Sequence, residues 1–132
     1  MITKSENKPT VLVVDDNDIN RNLLEEYLSG RYNVITAACG SEALDIIDER
    51  LNELSLMLLD IVMPNMNGFE ILEELNENGK IEFLPVVIVS SEGTTEFKNR
   101  AYLNNVYHFI TKPFTYDEVM FCVERIWPAR IS

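Results

Sequence analysis

Leu56-Met57-Leu58-Leu59-Asp60-Ile61-Val62-Met63-Pro64-Asn65-Met66-Asn67-Gly68 is the stretch whose reading decides the fold. Leu56 to Leu59 is apolar without a break, the pattern of a strand covered on both faces. One carboxylate, Asp60, closes the run. Pro64 lacks an N–H and cannot extend a ladder. Asn67-Gly68 then turns the chain toward a helix. A carboxylate at the C-terminal end of a buried parallel strand stands where open α/β sheets bind ligands. Taken alone, such an aspartate also serves as a strand stop or a helix cap.

The same pattern repeats on either side. Thr10 to Val14 is apolar and β-branched, hence a buried strand, and Asp15-Asp16 ends it. A helix follows from about Asp18, with Asn17 or Asp18 as its cap. Ile19, Leu23, Tyr27 and Leu28 form its stripe and Gly30 ends it. Tyr32 to Ala37 is a second strand, more mixed in polarity and so suited to an edge. Ser41 caps a helix with the stripe Ala43, Leu44, Ile47 and Leu51. The helix after Gly68 buries Ile71, Leu72 and Leu75, and Asn78-Gly79 stops it. Pro85 opens a fourth strand, Val86 to Val89, which Ser90 ends. The helix after Thr94 is the weakest, with Phe97, Ala101 and Tyr102 as its anchors. Val106 to Thr111 is a fifth strand. Thr115-Tyr116-Asp117-Glu118 matches a capping box, Val119, Cys122, Val123 and Ile126 follow at helical spacing, and Trp127-Pro128 ends the last helix.

Strict alternation of strand and helix implies a parallel sheet with helices on both faces. Crossovers are right-handed. The common order for five such strands is 2-1-3-4-5, a flavodoxin-like doubly wound sheet, with its crevice beside strands one and three. Asp15-Asp16 and Asp60 end those two strands, so this topology makes neighbours of distant acids. At an effective dielectric near 20 and about 5 Å, each carboxylate pair repels by roughly 3 kcal/mol. Solvent, a lysine or a metal must offset that, and hard oxygen ligands of this kind suit Mg²⁺.

Composition narrows the classes. A chain of 132 residues, 46% hydrophobic and 25% charged, suits one globular domain. Its net charge of −11 argues against nucleic-acid binding. No apolar run approaches the roughly 20 residues of a membrane span, and Met1 to Pro9 lacks the apolar centre of a signal peptide, so a cytoplasmic setting without membrane contact is the expectation. Cys39 and Cys122 fall in no metal-type pair. Cys122 lies on an apolar helix stripe and reads as a core residue, and Cys39 sits near a loop. His108, the only histidine, reads as a mid-strand residue.

Four motifs in order carry a resemblance: Val13-Val14-Asp15-Asp16; Leu58-Leu59-Asp60 with Met63-Pro64 and Gly68; Val86-Val87-Ile88-Val89-Ser90; and Thr111-Lys112-Pro113-Phe114. From about Val11 to Trp127 the chain resembles the response-regulator receiver family, the CheY-like phosphoacceptor domains of two-component systems. The resemblance implies a tail over 1–9, a receiver domain over 10–128 and a C-terminal tail over 129–132. It implies that Asp60 takes a phosphoryl group from a phosphohistidine on a sensor histidine kinase or phosphotransfer protein. Mg²⁺ would then be held by Asp16, Asp60 and the backbone carbonyl of Val62, with Asp15 acting through water. Lys112 would supply charge on the other side of the phosphoryl group, and Ser90 a hydroxyl. Ser90 and Phe109 are the matching switch positions, acting on the face of the fourth helix, fifth strand and last helix, through which a homodimer would also form. The family has a cis bond where Lys112-Pro113 stands. Such a domain is a signalling receiver that catalyses its own phosphorylation and dephosphorylation, rather than an enzyme on a separate substrate.

The chain departs from the family in one turn. Asn105-Val106 replaces the usual Gly-Ala before the fifth strand, and Asn tolerates a left-handed backbone better than most residues. Glu92 and Val62, each two past a site residue, flank the phosphoryl position. Rival readings remain: a flavin module, though Asp15-Asp16-Asn17-Asp18 would repel its phosphate; an aspartate-nucleophile phosphatase, though Asp-x-Asp is absent after the first strand; and a receiver-like scaffold that is never phosphorylated. The G-x-x-x-x-G-K-[ST] nucleotide loop is absent.

Overall fold

The computed structural model describes residues 8–63 and 66–126. Expectations for the N-terminal tail before residue 8, Pro64, Trp127-Pro128 and residues 129–132 lie outside the described residues. The elements are β1 (Thr10–Val14), α1 (Asp18–Leu28), β2 (Asn33–Ala37), α2 (Gly40–Arg50), β3 (Leu54–Leu59), α3 (Gly68–Glu77), β4 (Val86–Ser90), α4 (Thr95–Leu103), β5 (His108–Thr111) and α5 (Tyr116–Ile126). The strands form one parallel sheet in the order β2-β1-β3-β4-β5. The fold is the doubly wound, flavodoxin-like arrangement expected, with β2 at one edge.

Side chains alternate across a strand, and the two halves of each strand enter different layers. Val11, Val13, Leu56, Leu58, Val87 and Val89 pack with Leu24 and Leu28 of α1 and Val119, Cys122 and Val123 of α5. Leu12, Val14, Met57, Leu59, Val86 and Ile88 pack with Ala43 and Ile47 of α2, with Ile71, Leu72 and Leu75 of α3, and with Ala101 of α4. Covering on both faces explains why β1, β3 and β4 read as unbroken apolar runs.

Several local readings need correction. In α1 the buried residues are Leu24 and Leu28, whereas Ile19 is 76% exposed. Leu28 of the expected stripe is fully buried and Tyr27 packs half-buried against the core; Leu24 belongs to the stripe and Ile19 does not. Gly30 adopts no left-handed backbone; instead Ser29 caps the helix, and the N–H groups of Arg31 and Tyr32 both reach the Leu28 carbonyl. Helix α2 starts at Gly40 with Cys39 as its cap, and Ser41 already lies inside it. The Glu42 carboxylate reaches back past the cap and accepts the Ala38 N–H at 2.6 Å, tying the helix to the end of β2. Tyr102 is exposed, which leaves Ala101 and half-buried Phe97 to seat α4. Strand β5 begins at His108, because Asn105 turns the chain with φ 67° and Val106 is buried before pairing starts. His108 is therefore an exposed residue at the strand's start, rather than a mid-strand one. The capping box forms as read: Thr115 N–H donates to Glu118 Oε1 at 2.9 Å, and Glu118 N–H to Thr115 Oγ1 at 3.1 Å.

Candidate functional site

Strand register assembles the site. Val14 pairs with Leu59, so Asp15 and Asp60 leave the sheet side by side. The Asp60 N–H donates to the Val14 carbonyl at 2.9 Å and continues the ladder by one residue. Ser90 pairs with Thr111, and the Lys112 N–H donates to the Ser90 carbonyl at 2.8 Å. Lys112 thus leaves β5 two residues beyond the level at which Asp60 follows β3, and its long side chain reaches back to the acid. The Lys112-Pro113 bond is cis.

Helix α3 is pressed against the end of β3. A Cβ on Gly68 would stand 2.7 Å from Ile61 Cα and 2.9 Å from the Asp60 carbonyl oxygen, so only glycine fits there. Gly68 N–H donates to the Ile61 carbonyl at 2.7 Å, and Asn67 Oδ1 caps α3 by accepting from Phe69 and Glu70. Together these contacts fix the backbone that carries Asp60.

Asp15 and Asp60 are buried, and one ammonium serves both. Lys112 Nζ donates to Asp15 Oδ2 at 2.9 Å and to Asp60 Oδ2 at 3.3 Å. Each acid also accepts one backbone donor, Asn17 N–H on Asp15 Oδ1 at 2.9 Å and Val62 N–H on Asp60 Oδ1 at 3.2 Å. Asp16 is exposed at the mouth of the pocket. Burial pushes the Asp60 carboxyl up to about 6, and the Asp15 charge adds to that; Lys112 and the Val62 N–H oppose it. Burial works against the Lys112 ammonium, but the hydrogen bond to Asp15 and the charges of Asp60 and Asp15 outweigh it and hold its pKa above the ordinary value. Two buried carboxylates sharing one ammonium leave surplus negative charge.

That surplus is what a cation would meet. Asp15, Asp16 and Asp60 each offer an oxygen, all within 4.8 Å of one another. The donors are hard and the mouth is open at Asp16, so the set fits a small divalent ion that keeps some of its waters. Val62 stands beside Asp60 with its side chain 51% exposed.

Ser90 is fully buried, with its Oγ accepting the Glu92 N–H at 3.2 Å. Phe109 is buried on β5, with Lys98 Nζ of α4 lying 5.8 Å from its ring centroid. Two features escaped the sequence reading. A Cβ on Gly93 would come within 2.9 Å of Thr111, so the β4–α4 loop lies close on the end of β5. Arg21 Nη1 donates to the Asp15 carbonyl at 2.7 Å, and its Nη2 pairs with Asp18. The hint for Arg21 was a cation three residues after Asp18 in the first turn of α1.

The profile of the response regulator receiver domain matches residues 11–124. The chain belongs to that family. Among curated proteins, this receiver is 32% identical over 121 residues to the two-component response regulator ORR11 of Oryza sativa, covering 91% of this chain and 82% of that protein. It is 31% identical over 114 residues to the hybrid signal transduction histidine kinase D of Dictyostelium discoideum, 86% of this chain but 7% of that one. Among solved structures, the receiver superposes on the chemotaxis protein CheY4 of Vibrio cholerae with a TM-score of 0.82 at 27% identity, covering 90% and 98% of the two chains. It matches a chain of the CheX-CheY-BeF3-Mg²⁺ complex of Borrelia burgdorferi with a TM-score of 0.85 at 25% identity, covering 95% and 98%. The receiver is therefore a two-component signalling domain, related to response regulators and to hybrid kinases.

Proposed function

We propose that Asp60 is the phosphoacceptor of this receiver, and that its donor is a phosphohistidine on a sensor histidine kinase or a histidine phosphotransfer protein. The observation that carries the reading is the shared ammonium: Lys112 Nζ bonds Asp15 and Asp60 in a pocket where three acidic residues offer oxygens within 4.8 Å. A carboxylate oxygen of Asp60 attacks phosphorus, the N–P bond of the donor breaks, and its electron pair returns to the imidazole. Such transfers depend on positioning and charge neutralisation more than on covalent help. Lys112 releases its hold on Asp60 Oδ2 and follows the charge onto a phosphoryl oxygen. Ser90, at the end of β4, turns its hydroxyl toward another. Hydrolysis by water restores the free carboxylate.

Asp16 and Asp60, with the Val62 carbonyl, would hold Mg²⁺, and Asp15 would act through a water. When bound, the ion supplies positive charge on the side of the phosphoryl group opposite Lys112. Filling the space above Asp60 draws Ser90 in, and Phe109 repacks behind it. The α4-β5-α5 face then changes for partners, a second copy of the receiver among them. Tyr107 and Phe121 are exposed on that face, around a groove of about 470 Å³ with His108, Cys122, Arg125 and Ile126. Two free cysteines suit the reducing cytoplasm in which we place the domain.

The test is phosphotransfer from a histidine kinase, or from a small phosphodonor, to wild type and Asp60→Asn, with and without Mg²⁺. An acid-labile mass adduct on wild type alone, dependent on the cation, is expected. No adduct on wild type would leave the scaffold reading standing instead.

A further inference from the structure

We propose that Arg21 is a positioning residue that aims the Asp16 carboxylate by gripping the peptide between Asp15 and Asp16. The inference rests on the reading of the acidic pocket as a divalent-cation site.

The three acids are not held alike. Asp15 is fixed by the Asn17 N–H and by Lys112, and Asp60 by the Val62 N–H and by Lys112. Asp16 is exposed, and its carboxylate accepts no hydrogen bond among the described residues. With no such bond to hold it, the backbone at Asp16 determines where its Cβ points and which places the carboxylate can reach. The carbonyl of Asp15 and the N–H of Asp16 belong to one rigid peptide plane. Arg21 Nη1 donates to that carbonyl at 2.7 Å. The other arm of the same guanidinium pairs with Asp18, the first residue of α1. The fork thus spans from the end of β1 to the start of α1 and pins the short loop that carries Asp16. The Arg21 side chain is only 16% exposed, so its packing fixes where the fork points. A lysine would keep the charge but could not hold both points with a planar fork.

Two plainer roles make different predictions. If Arg21 acts only through its charge, it repels the incoming cation; Arg21→Gln then binds Mg²⁺ more tightly and Arg21→Lys binds as wild type does. If it only steadies α1, the variants melt earlier but bind Mg²⁺ unchanged. Positioning predicts weaker binding in both variants, by roughly ten-fold, the usual scale for residues that orient a metal ligand.

The experiment titrates MgCl₂ into the full chain by calorimetry for wild type, Arg21→Lys and Arg21→Gln. Melting temperature in EDTA is measured alongside, as is phosphorylation by a small phosphodonor across Mg²⁺ concentrations. Expected is a higher Mg²⁺ dissociation constant in both variants, a matching rise in the concentration for half-maximal phosphorylation, and a near wild-type rate at saturation. Unchanged affinity in Arg21→Lys, or tighter binding by Arg21→Gln, overturns the inference while wild-type binding keeps the pocket reading intact. Failure of wild type itself to bind Mg²⁺ overturns the pocket reading, and this inference with it.

Discussion

Asp60 carries a stability cost in the cation-free protein. Its folded pKa of about 6 lies above the ordinary carboxylate value, so the folded state holds its proton more tightly than the unfolded chain does. The stability this contributes is full below about pH 4 and is lost as pH rises through 6. At pH 7.5 the burial of an ionised Asp60 remains uncompensated in part. Asp60→Asn is therefore expected to stabilise the cation-free protein at pH 7.5 by about 1–2 kcal/mol, and by less at pH 5. Urea unfolding in EDTA at the two pH values checks this; equal effects would show that ionisation is not the cause. The two thiols give a second residue-level contrast. Burial pushes Cys122 up to about 11. At Cys39 the hydrogen bond with Ser41 lowers the thiol below its ordinary value. Thiolate is the reactive form, so at pH 8 one equivalent of iodoacetamide should react readily, at Cys39, and the second only on unfolding. Peptide mapping by mass spectrometry identifies the labelled site.

Elements were legible where one force dominated. Buried strands announce themselves through continuous apolar residues, and the α3 and α5 stripes through spacing that burial then repeats. The α1 stripe included Ile19 and missed Leu24 because the five apolar residues of the helix spread over two neighbouring rows, about half of its circumference. Charge could not choose between the rows, since Arg21 lies on the inner side. The start of β5 was hidden because Val106 is buried as a strand residue would be, yet precedes the pairing. At the α4–β5 turn, Asn105 combines a positive φ with an Asn105 Nδ2 to Asn76 Oδ1 hydrogen bond of 2.7 Å. Asn105→Ala should cost about 1–2 kcal/mol, from backbone strain and the lost bond. Asn105→Gly relieves the strain and loses only the bond, so it should lie between Ala and wild type. At the other end of the sheet, Gly68→Ala forces a Cβ onto Ile61 and the Asp60 carbonyl, at about 1–3 kcal/mol. Thermal melts rank all three.

At the scale of the molecule, the pocket could be read from the sequence because topology and strand ends together place it. Strand order put β1 beside β3, and the acids that close both runs had to meet. Lys112 ends β5, two strands away from β3, and was marked by the family resemblance rather than by strand order. What could not be read was contact across elements: the Arg21 fork, the approach of Gly93 to Thr111, and how firmly α4 is tied to α3. Helix α4 buries only Ala101 fully, yet Phe97 stacks edge-on with Phe69 at 5.3 Å, and Arg100 lies 3.9 Å over the Phe69 ring. Phosphorylation, or a beryllofluoride mimic with Mg²⁺, should move amide resonances in β4's end, β5 and α5, with smaller shifts where α4 rests on α3. Shifts confined to the acidic pocket would remove the switch from the account.

The strand bearing Asp60 lies at the middle of the five, with neighbours bonded on both sides and helices above and below. An anvil of that kind does not give when struck. On the proposed reading, the free energy of phosphorylation would be felt where the stack is free to yield. On the Lys112 side that is the outermost strand, β5, whose far rim meets no further strand among the described residues.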